Sequence, residues 1–547
     1  MPITEFLSRN AAHYGDEIAL VEVNPALREE TSTQTDWREL TLAEHDFHSG
    51  YRKTITWHTF DEQANQCAHL LLRQGVRRGE KVAILLMNCI EWLPIYFGIL
   101  KAGAIVVPMN FRYSSDEIAY CLNLADVTTL IFGPEFVDRM AAIQDKTDGI
   151  TQYFLGEQWE RPAFASSFQT QAAKVSKKPP IIPLYDEDDA AIYFSSGTTG
   201  FPKAILHSHK ALVFACEVEQ AHHKQTHSDV FLCIPPLYHT GAKMHWFGSL
   251  MVGGRGILLR GTQSRWILET AAWEGATVVW LLVPWAQDIL DALEAGELRL
   301  ADYELDNWRL MHIGAQPVPP SLIKRWKAVF PNHAYDTNYG LSESIGPGCV
   351  HLGMENIRKV GAIGTAGFGW RTKIVNENGE TLPCGEVGEL AVKGRGVMKE
   401  YYKDEAASRA ALHDGWLHTG DMAREDEDGF IYLVDRKKDV IITGGENLYP
   451  VQIEDFLRAH PKIKDVAVIG LAEYRLGEIA AAIIEIKPGL TCTEEEINAF
   501  CLDLPRYKRP RKIIFAPVLR NATGKIEKPK LRAQFAGGSI VETQTKN

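Results

Sequence analysis

Hydroxyl-bearing and glycine residues form a run at Ser195–Lys203 that ends in a lysine and follows an apolar segment directly. Glycines let a backbone turn tightly so that its N–H groups converge, hydroxyls add donors, and the lysine adds a cation. These are the groups that hold a polyphosphate. The run lacks the Gly-Lys-Ser/Thr ending of a Walker sequence, and a flexible connector is the alternative interpretation. The residues predicted to hold phosphate are Ser195, Ser196, Gly197, Thr198, Thr199, Gly200 and Lys203.

Histidine and cysteine, the other residues with metal-binding chemistry, show no familiar spacing. The group His222, His223 and His227 does not match the H-E-x-x-H zinc pattern, so we interpret it as solvated helix and loop without a metal site. The nine cysteines are scattered singly with no C-x-x-C pair. That distribution indicates neither a disulfide framework nor a thiolate zinc site, and it favours a reducing compartment.

The order of residues in the phosphate run resembles the adenylate-forming superfamily of acyl-CoA synthetases, peptide-synthetase adenylation domains and firefly-type luciferases. The segment YFSSGTTGFPKAILHSHK is similar to that family's phosphate-binding signature nearly residue for residue. Six further segments resemble the family in the expected order and extend the resemblance over essentially the whole chain: PPLYHTGA at Pro235–Ala242, HIGAQPVP at His312–Pro319, NYGLSE at Asn338–Glu343, GWLHTGD at Gly415–Asp421, DRKKDVIITGGENLYPVQIE at Asp435–Glu454 and TGKIEK at Thr523–Lys528.

The resemblance implies that the chain activates a carboxylic acid with ATP, by transferring AMP to the acid while pyrophosphate departs. Negative charge accumulates around the α-phosphate, so the site must supply cations, donors and positioning. Glu343 resembles the family's magnesium ligand, and a carboxylate oxygen suits that hard cation. Lys525 resembles a mobile lysine that reaches both the acid and the α-phosphate. The catalytic residues predicted in this way are Lys525, Glu343 and His239.

The resemblance also implies contacts with the nucleotide. Tyr339 would stack on adenine, and Asn338 would meet the exocyclic amine of the base. Ser342 replaces the family's usual threonine and keeps the hydroxyl that would contact the α-phosphate. Asp421 would accept hydrogen bonds from the ribose hydroxyls, and Arg436 would donate one to the same sugar. An ordinary surface ion pair is the alternative interpretation of Asp421 and Arg436.

A hinge at Asp435 is implied by the same resemblance, with a small C-terminal domain rotating about it. Rotation would exchange Lys525 for Gly444 and Gly445, whose lack of side chains would let the pantetheine arm of CoA reach the acyl-adenylate. We therefore expect an AMP-binding and acyl-binding domain over residues 1–434 and a mobile domain over residues 435–547. The implied cofactors and co-substrates are ATP, Mg²⁺ and CoA.

The acid is expected to bind beside a helix predicted over Tyr238–Gly248. His239 would gate access between the carboxylate and the thiol tunnel. Trp246 would close the end of the acyl tunnel, and an ordinary core position is the alternative. A closed apolar pocket favours a compact aromatic, alicyclic or short-to-medium-chain acid. The predicted pocket residues are Tyr238, Ala242, Trp246, Ala315 and Gln316.

The elements that must position these residues follow an α/β pattern. Short apolar strands, at residues 81–87, 104–107, 191–194, 230–234 and 276–282, alternate with helical patterns at 63–75 and 91–103. After about residue 370, an Asn378-Gly379 turn and the charged run Asp435–Asp439 predict hairpins. With the resemblance, we expect a large N-terminal domain of two α/β subdomains plus a β-barrel-like part, and a small mobile α+β C-terminal domain.

Composition narrows the class of protein. The 58 basic and 70 acidic residues give a net charge of −12, which argues against non-specific binding to nucleic acid or anionic lipid. No apolar stretch approaches the 20 or so residues of a membrane span, and no secretion leader is visible. These features favour a cytoplasmic location, and the resemblance implies an enzyme that acts on a small-molecule acid and CoA. Homo-oligomerisation stays open.

Three alternatives remain at the sequence level. A free-standing adenylation enzyme that loads an acyl carrier protein shares the first step, and the basic run Arg506–Lys512 suits either CoA phosphates or an acidic carrier. An oxidative luciferase shares the fold and the first step. A non-catalytic acyl-adenylate-binding protein is disfavoured because the residues predicted for catalysis are all retained.

Overall fold

The computed structural model describes residues 1–29, 51–195, 202–314, 318–346, 348–443, 446–520 and 526–535. The chain divides into two compact units. The first comprises Met1–Gly314, Pro320–Thr372 and Val392–Leu417, and the second comprises Ala315–Pro319, Lys373–Ala391 and His418–Asn547. The domain boundary at residue 435 stays a prediction.

A sheet of nine described strands lies in the first unit. Its central strands are parallel, and Val278–Leu282 is buried along its whole length. Parallel strands read as continuous apolar runs because helices cover both faces of the sheet. In order across the sheet, the strands are Thr365–Ala366, Val350–His351, Ala334–Tyr339, Leu310–Gly314, Val278–Leu282, Val230–Cys233, Arg255–Leu259, Ile18–Val23 and Arg52–Thr56.

A second sheet of the first unit has eight described strands. Its parallel part is extended by an antiparallel pair that leads into and out of the phosphate run, Asp189–Phe194 and Ala204–Ser208. The run is thus the connection of a hairpin at one end of this sheet. In order, the strands are Glu400–Tyr401, Ala204–Ser208, Asp189–Phe194, Ile105–Pro108, Lys81–Leu85, Val127–Phe132, Thr151–Phe154 and Ser166–Ser167.

The helices of the first unit follow the predicted periodicity. The helix predicted over 63–75 begins earlier, at Trp57, because the Thr56 side chain accepts a hydrogen bond from the Thr59 N–H and caps it. The described α-helices of this unit are Thr4–Tyr14, Pro25–Glu29, Trp57–Arg73, Trp92–Lys101, Ser115–Leu124, Val137–Ala141, Phe168–Ala172, His209–His223, Thr240–Val252, Ser264–Trp273, Val283–Glu294, Pro320–Val329 and Glu405–Ala411.

Two of these helices carry residues of the predicted acid pocket and of the histidine group. The His209–His223 helix is capped by the Ser208 side chain, which accepts from the Ala211 N–H. The Thr240–Val252 helix ends at Gly253, whose φ of 74° is the left-handed conformation that glycine adopts at helix ends. The prediction of a helix near 238–248 is confirmed, with bounds shifted by two to four residues.

A third sheet includes strands that begin in one unit and end in the other. It consists of Arg371–Val375, Gly388–Lys393, Trp416–Glu425, Leu412–His413 and Ile431–Arg436. The predicted Asn378-Gly379 turn is present after its first strand, and the φ of +80° at Gly379 explains the need for glycine. Asp421 and Arg436 are register partners in this sheet.

A fourth sheet forms the core of the second unit, with strands Glu446–Leu448, Ile441–Thr443, Gly477–Ile486, Ile463–Glu473 and Lys512–Phe515. Successive residues of one strand alternate between two cores: Val466 and Val468 face one, and Ala467 and Ile469 face the other. The helices Pro450–Arg458 and Glu494–Phe500 cover the first core, and Lys528–Phe535 covers the second.

The hairpin predicted at Asp435–Asp439 is wrong. The strand before this run, Ile431–Arg436, pairs with Trp416–Glu425, whereas the strand after it, Ile441–Thr443, pairs within the fourth sheet. The charged run therefore connects two different sheets. The Asp439 N–H donates to the Arg436 carbonyl and closes a turn that has the same local sequence pattern as a hairpin turn. Only the pairing of the flanking strands with other strands distinguishes this connection from a hairpin.

The α/β fold class is confirmed by these mixed sheets and their covering helices. Within the described residues, no helix is long and apolar enough to cross a membrane. The Glu494–Phe500 helix begins with a capping box, in which the side chains of Thr493 and Glu496 each accept a hydrogen bond from the other residue's backbone N–H.

Candidate active site

The two ends of the phosphate run are tied together. The Lys203 N–H donates to the Ser195 hydroxyl at 3.1 Å, and the Ser195 N–H donates to the Lys203 carbonyl at 3.0 Å. The Lys203 ammonium lies 4.7 Å from the centroid of the Tyr401 ring. These contacts hold the loop closed at its base and place one cation at its exit, as a phosphate-binding loop requires.

Glu343 lies in the short 3₁₀ helix Ser342–Ser344 and is partly buried. Its Oε1 accepts a hydrogen bond from the Tyr401 hydroxyl at 2.9 Å, and its carbonyl accepts from the Met398 N–H at 2.8 Å. Burial and the adjacent Glu343 charge raise the pKa of Tyr401 well above its usual range, so the phenol stays a donor. Tyr401 thus orients the carboxylate predicted to bind magnesium, and it also contacts Lys203.

A buried histidine forms a hydrogen bond with the backbone of Ser342. The Nε2 of His207 lies 2.8 Å from the Ser342 carbonyl oxygen, so the Nε2–H tautomer donates to it. Burial lowers the pKa of His207 to about 4, which keeps the ring neutral. The Ser342 hydroxyl lies 3.5 Å from that of Thr240, at the start of the Thr240–Val252 helix.

The backbone after Glu343 takes an uncommon path. Ile345 has a φ of 60°, which is rare for a β-branched residue and costs on the order of 1–3 kcal/mol. A Cβ on Gly340 would lie 2.8 Å from the Gly348 Cα, so only glycine permits that approach. Strained backbone persists where the surroundings over-determine it, and such positions cluster at functional sites.

Tyr339 and Asn338 lie on opposite faces of the Ala334–Tyr339 strand, as consecutive strand residues must. The Asn338 Oδ1 lies 3.2 Å from the Nε2 of His312, on the face that carries Asp336. Tyr339 is 8% exposed. The predicted adenine contacts of both residues stay predictions.

His239 precedes the Thr240–Val252 helix as its N-cap, without a side-chain capping bond. Tyr238 packs its ring edge-on against Phe111 at 5.2 Å, and its buried hydroxyl has no hydrogen-bond partner among the described residues. Ala242 is fully buried one turn into the helix.

Trp246 is fully buried, and its ring lies against Phe60 and Phe247. A Cβ on Gly256 would meet the Trp246 indole nitrogen at 2.4 Å, so the indole lies flush on the strand Arg255–Leu259. These are the contacts of a core residue, which is the alternative interpretation given above.

Two buried residues near the predicted pocket carry no sequence signal. Lys243 is fully buried, donates to the His239 carbonyl at 3.2 Å and lies 4.2 Å from the Tyr193 ring centroid. Burial holds its pKa well below the usual range. Trp280 is 4% exposed, and its ring fills the space beside Gly241 and near Gly314. A lone lysine or tryptophan gives no hint of such a position, because the neighbours come from distant strands.

The second unit brings together two residues predicted to bind ribose. The Arg436 Nε lies 3.4 Å from the Asp421 Oδ1 across the paired strands, with the arginine partly exposed. Beside them, the Asp435 carboxylate accepts from the Arg436 N–H at 2.7 Å and from the Val451 N–H at 2.9 Å. Burial raises the pKa of Asp435 to about 6.

The prediction that the histidine group is solvated is wrong for His223. His227 is exposed, but His223 is fully buried, because the last turn of the His209–His223 helix packs inward over the Thr240–Val252 helix and the strand Ala334–Tyr339. Its partners are described below.

Ten predicted site residues lie outside the described residues. They are Ser196, Gly197, Thr198, Thr199, Gly200, Ala315, Gln316, Gly444, Gly445 and Lys525.

Comparison with known proteins identifies the family. Residues 9–402 match the AMP-binding enzyme family, and residues 452–525 match the AMP-binding enzyme C-terminal domain. The chain belongs to the AMP-binding enzyme family. The resemblance to adenylate-forming enzymes is therefore confirmed. The two matched regions enclose the phosphate run, Glu343 and most of the Pro450–Arg458 helix.

Relatives within the AMP-binding family have different acids in their names. A long-chain-fatty-acid–CoA ligase of Mycobacterium tuberculosis is 31% identical over 493 residues, covering 88% of this chain and 93% of the relative. A 2-succinylbenzoate–CoA ligase of Bacillus cereus is 30% identical over 470 residues, covering 85% and 90%. The structure of ATP-bound MatB from Rhodopseudomonas palustris matches with a TM-score of 0.84 and 26% identity, covering 98% of this chain and 99% of the other.

Proposed function

We propose that this AMP-binding enzyme is an acid–thiol ligase that converts a carboxylic acid, ATP and CoA into acyl-CoA, AMP and pyrophosphate. The observation that carries the proposal is the connection of Lys203, Tyr401 and Glu343. It joins the exit of the phosphate run to the carboxylate predicted to bind magnesium. The names of the relatives, which are CoA ligases, support the same reaction class.

The first step forms the acyl-adenylate. A carboxylate oxygen of the acid attacks the α-phosphorus of ATP, the bond from that phosphorus to the β-phosphate oxygen breaks, and pyrophosphate leaves with the electron pair. The backbone and hydroxyls of the phosphate run orient the phosphates, and Lys203 adds a positive charge. The Ser342 hydroxyl donates to an α-phosphate oxygen. Asp421 and Arg436 bind the ribose hydroxyls, and Tyr339 and Asn338 bind adenine.

Glu343 fits a magnesium ion. Its carboxylate offers hard oxygen atoms, the Tyr401 hydroxyl bonds one of them, and the short helix Ser342–Ser344 fixes the backbone. Bound there, Mg²⁺ supplies neutralisation of phosphate charge. The role of Tyr401 is to hold the carboxylate in one orientation, so that the ligand does not need to reorganise when the nucleotide binds.

The second step transfers the acyl group to sulfur. The CoA thiol loses its proton, its sulfur attacks the acyl carbon, and the bond from that carbon to the AMP oxygen breaks. AMP thus leaves with an oxygen that came from the acid. We assign Lys525 to the first step, and Gly444 and Gly445 to passage of the pantetheine arm in the second. His239 gates access between the two.

A compact acid is the substrate class that the pocket favours: aromatic, alicyclic, or short to medium in chain length. The predicted walls are the start of the Thr240–Val252 helix and the segment after Gly314. The Trp280 ring lies 3.0 Å from a Cβ placed on Gly241 and 3.9 Å from one placed on Gly314. A bulky fixed ring there leaves less length for an acyl chain. The nine cysteines, scattered singly along the sequence without a C-x-x-C pair, favour a reducing, cytoplasmic setting.

Assay of AMP and thioester release against a panel of acids tests the function. With benzoate, cyclohexanecarboxylate and straight chains of 4–16 carbons, we expect AMP and acyl-CoA in equal amounts, dependent on acid, ATP and CoA together. We expect kcat/KM to peak at or below about eight carbons, because a methylene that fits contributes about 0.8 kcal/mol and one that collides reverses that gain. ADP as product would contradict the reaction class, and an optimum at 16 carbons would contradict the compact pocket.

A further inference from the structure

A cluster of buried ionisable side chains lies in the first unit. Glu219 and His223 are one turn apart on the His209–His223 helix, His245 lies on the Thr240–Val252 helix, and Asp336 lies on the Ala334–Tyr339 strand. Glu219, His223 and Asp336 are fully buried, and His245 is 2% exposed. The proposed reaction uses none of these four residues.

The donor atoms of three residues converge. The His245 Nδ1 lies 2.9 Å from the Glu219 Oε2, and the His223 Nδ1 lies 2.5 Å from the Glu219 Oε1. One ligand atom from each of Glu219, His223 and His245 lies within 4.8 Å of the other two. The Glu219 Oε1 and His223 Nδ1 form this close ion-pair contact without the geometry of a hydrogen bond. A carboxylate oxygen and two imidazole nitrogens that converge in this way are ligand atoms that one metal ion can bind.

The second nitrogen of His223 is held by another carboxylate. Its Nε2 lies 3.0 Å from the Asp336 Oδ2, and the Asp336 Oδ1 accepts from the Gly353 N–H at 2.9 Å. With Nε2–H donating to Asp336, loss of the Nδ1 proton leaves a lone pair directed toward Glu219, and a metal ion would take the place of that proton. A carboxylate that fixes the tautomer of a ligating histidine is the usual surrounding of such a ligand.

An independent observation comes from His312, on the Leu310–Gly314 strand. Its ring centroid lies 4.3 Å from that of His245 and 4.5 Å from that of His223, and the residue is fully buried. Its Nε2 bonds Asn338, whereas its Nδ1 has no hydrogen-bond partner among the described residues. A buried imidazole nitrogen without a partner, packed against two of the converging histidines, is a further nitrogen donor at the same place.

Charge balance points the same way. Without a metal, an imidazolium at His223 offsets one of the two carboxylates, and full balance requires a second proton on His245, which contacts Glu219, or on His351, whose Nδ1 lies 3.5 Å from the Asp336 Oδ2. A divalent cation offsets Glu219 and Asp336 together while the histidines stay neutral. Imidazole nitrogens with one carboxylate oxygen form a donor set that zinc binds and that magnesium does not prefer.

We propose that Glu219, His223 and His245 bind a zinc ion that stabilises the first unit, with Asp336 orienting His223. Tetrahedral zinc at 2.0–2.1 Å from its ligands separates them by about 3.3 Å. Binding therefore requires Glu219 and His223 to move apart by about 1 Å, which a glutamate rotamer accommodates. The ion lies within the core, so its effect is on stability and not on the transferred groups.

Zinc content of the full-length protein, purified without a polyhistidine tag, tests this proposal. After reconstitution with Zn²⁺ and removal of loose ions by a weak chelator, we expect about one zinc per chain by elemental analysis. The variants His245→Gln and Glu219→Gln should retain at least tenfold less zinc. His227→Gln, an exposed histidine just beyond the same helix, is the matched control and should retain it fully.

Two further measurements keep the result decisive if a variant fails to fold. Wild-type protein should melt at a higher temperature with zinc than after a strong chelator has removed the metal, since an ion that binds only the folded state stabilises that state. Reconstitution with Co²⁺ should give visible absorption bands that differ from those of the hydrated ion and that are lost in His245→Gln. Absence of stoichiometric zinc together with an unchanged Tm would overturn the proposal, and equal zinc in all variants would assign the metal to the surface.

Discussion

Tyr401 determines how Glu343 presents its carboxylate, and the sequence gives no sign of it. The two residues are 58 positions apart, and the contact exists only because the Glu400–Tyr401 strand joins the edge of the second sheet. By contrast, Lys203 was predicted from the composition of its glycine- and hydroxyl-rich run, and Glu343 and Ser342 were predicted from the resemblance of their segment to the family. Partners that come from distant strands, such as His207, which donates to the Ser342 carbonyl, cannot be predicted from the sequence.

Replacing Glu343 tests its role at the phosphates. Glu343→Gln keeps the shape and the acceptor for Tyr401 but removes the negative charge that holds magnesium. We expect a loss of about 10²–10³-fold in kcat for acid-dependent ATP–pyrophosphate exchange, the magnitude typical of one lost electrostatic group. The magnesium concentration for half-maximal rate should rise in parallel.

Tyr401→Phe is the matched control for Glu343→Gln. It leaves the charge in place and removes only the orienting hydrogen bond, so we expect a loss of about tenfold or less. Equal loss in the two variants, or an unchanged magnesium requirement in Glu343→Gln, would contradict the assignment of Glu343.

Individual elements were easier to predict than their partners. The strand before the phosphate run was expected over Ala191–Phe194 and spans Asp189–Phe194. The prediction of a hairpin at Asp435–Asp439 is wrong because local turn chemistry does not specify which strands pair. His223 was misjudged for a related reason: the end of a helix is exposed or buried according to what packs on it, and its sequence neighbours Lys224 and His227 are exposed.

The connection at Asp435 should be sensitive to pH. A carboxyl group whose folded-state pKa is raised from 3.8 to about 6 binds its proton more tightly when folded. The free energy of unfolding therefore has its full value below about pH 4, where Asp435 is protonated in both states. It falls by about 2–3 kcal/mol as the pH rises to about 6. Asp435→Asn removes this loss, so the Tm of the variant minus that of wild type should increase between pH 4 and pH 6 and then level off. A difference independent of pH would show that Asp435 titrates normally.

The Thr240–Val252 helix contributes a core contact through Trp246. Trp246→Gly removes a ring that touches Phe60, Phe247 and the strand at Gly256, so we expect a loss of about 3–5 kcal/mol in the free energy of unfolding. We expect the preferred chain length of the acid to stay unchanged. An upward shift of that optimum, measured with the same acid panel, would instead make Trp246 the floor of the pocket.

At the scale of the whole molecule, the sequence predicted the α/β class and the order of functional segments. The regular alternation of strand and helix patterns indicates the fold class, and the motifs quoted above indicate the family. The strand order of the third sheet could not be predicted. Its Asn378-Gly379 turn was expected from the sequence, but the pairing of Gly388–Lys393 with Trp416–Glu425 joins segments distant in the chain, which local patterns do not specify.

The two half-reactions should depend on different segments of the second unit. Lys525→Ala should lower adenylation by about two to three decades, as loss of one oriented donor does, and should affect conversion of supplied acyl-adenylate to acyl-CoA far less. Gly445→Trp should do the reverse, because it adds volume only where pantetheine is expected to pass. Single-turnover assays of each half-reaction separate the two, and a parallel fall of both rates in either variant would contradict the division of roles.

Isotope transfer from the acid to AMP tests the central claim most directly. With an acid carrying ¹⁸O in both carboxylate positions, attack on the α-phosphorus followed by thiolysis leaves one acid oxygen on the phosphate of AMP. We predict one ¹⁸O in AMP and one in the thioester carbonyl, measured by mass spectrometry after turnover with ATP and CoA. Unlabelled AMP, with ¹⁸O appearing in inorganic phosphate or pyrophosphate, would contradict an acyl-adenylate and with it the function proposed for this chain.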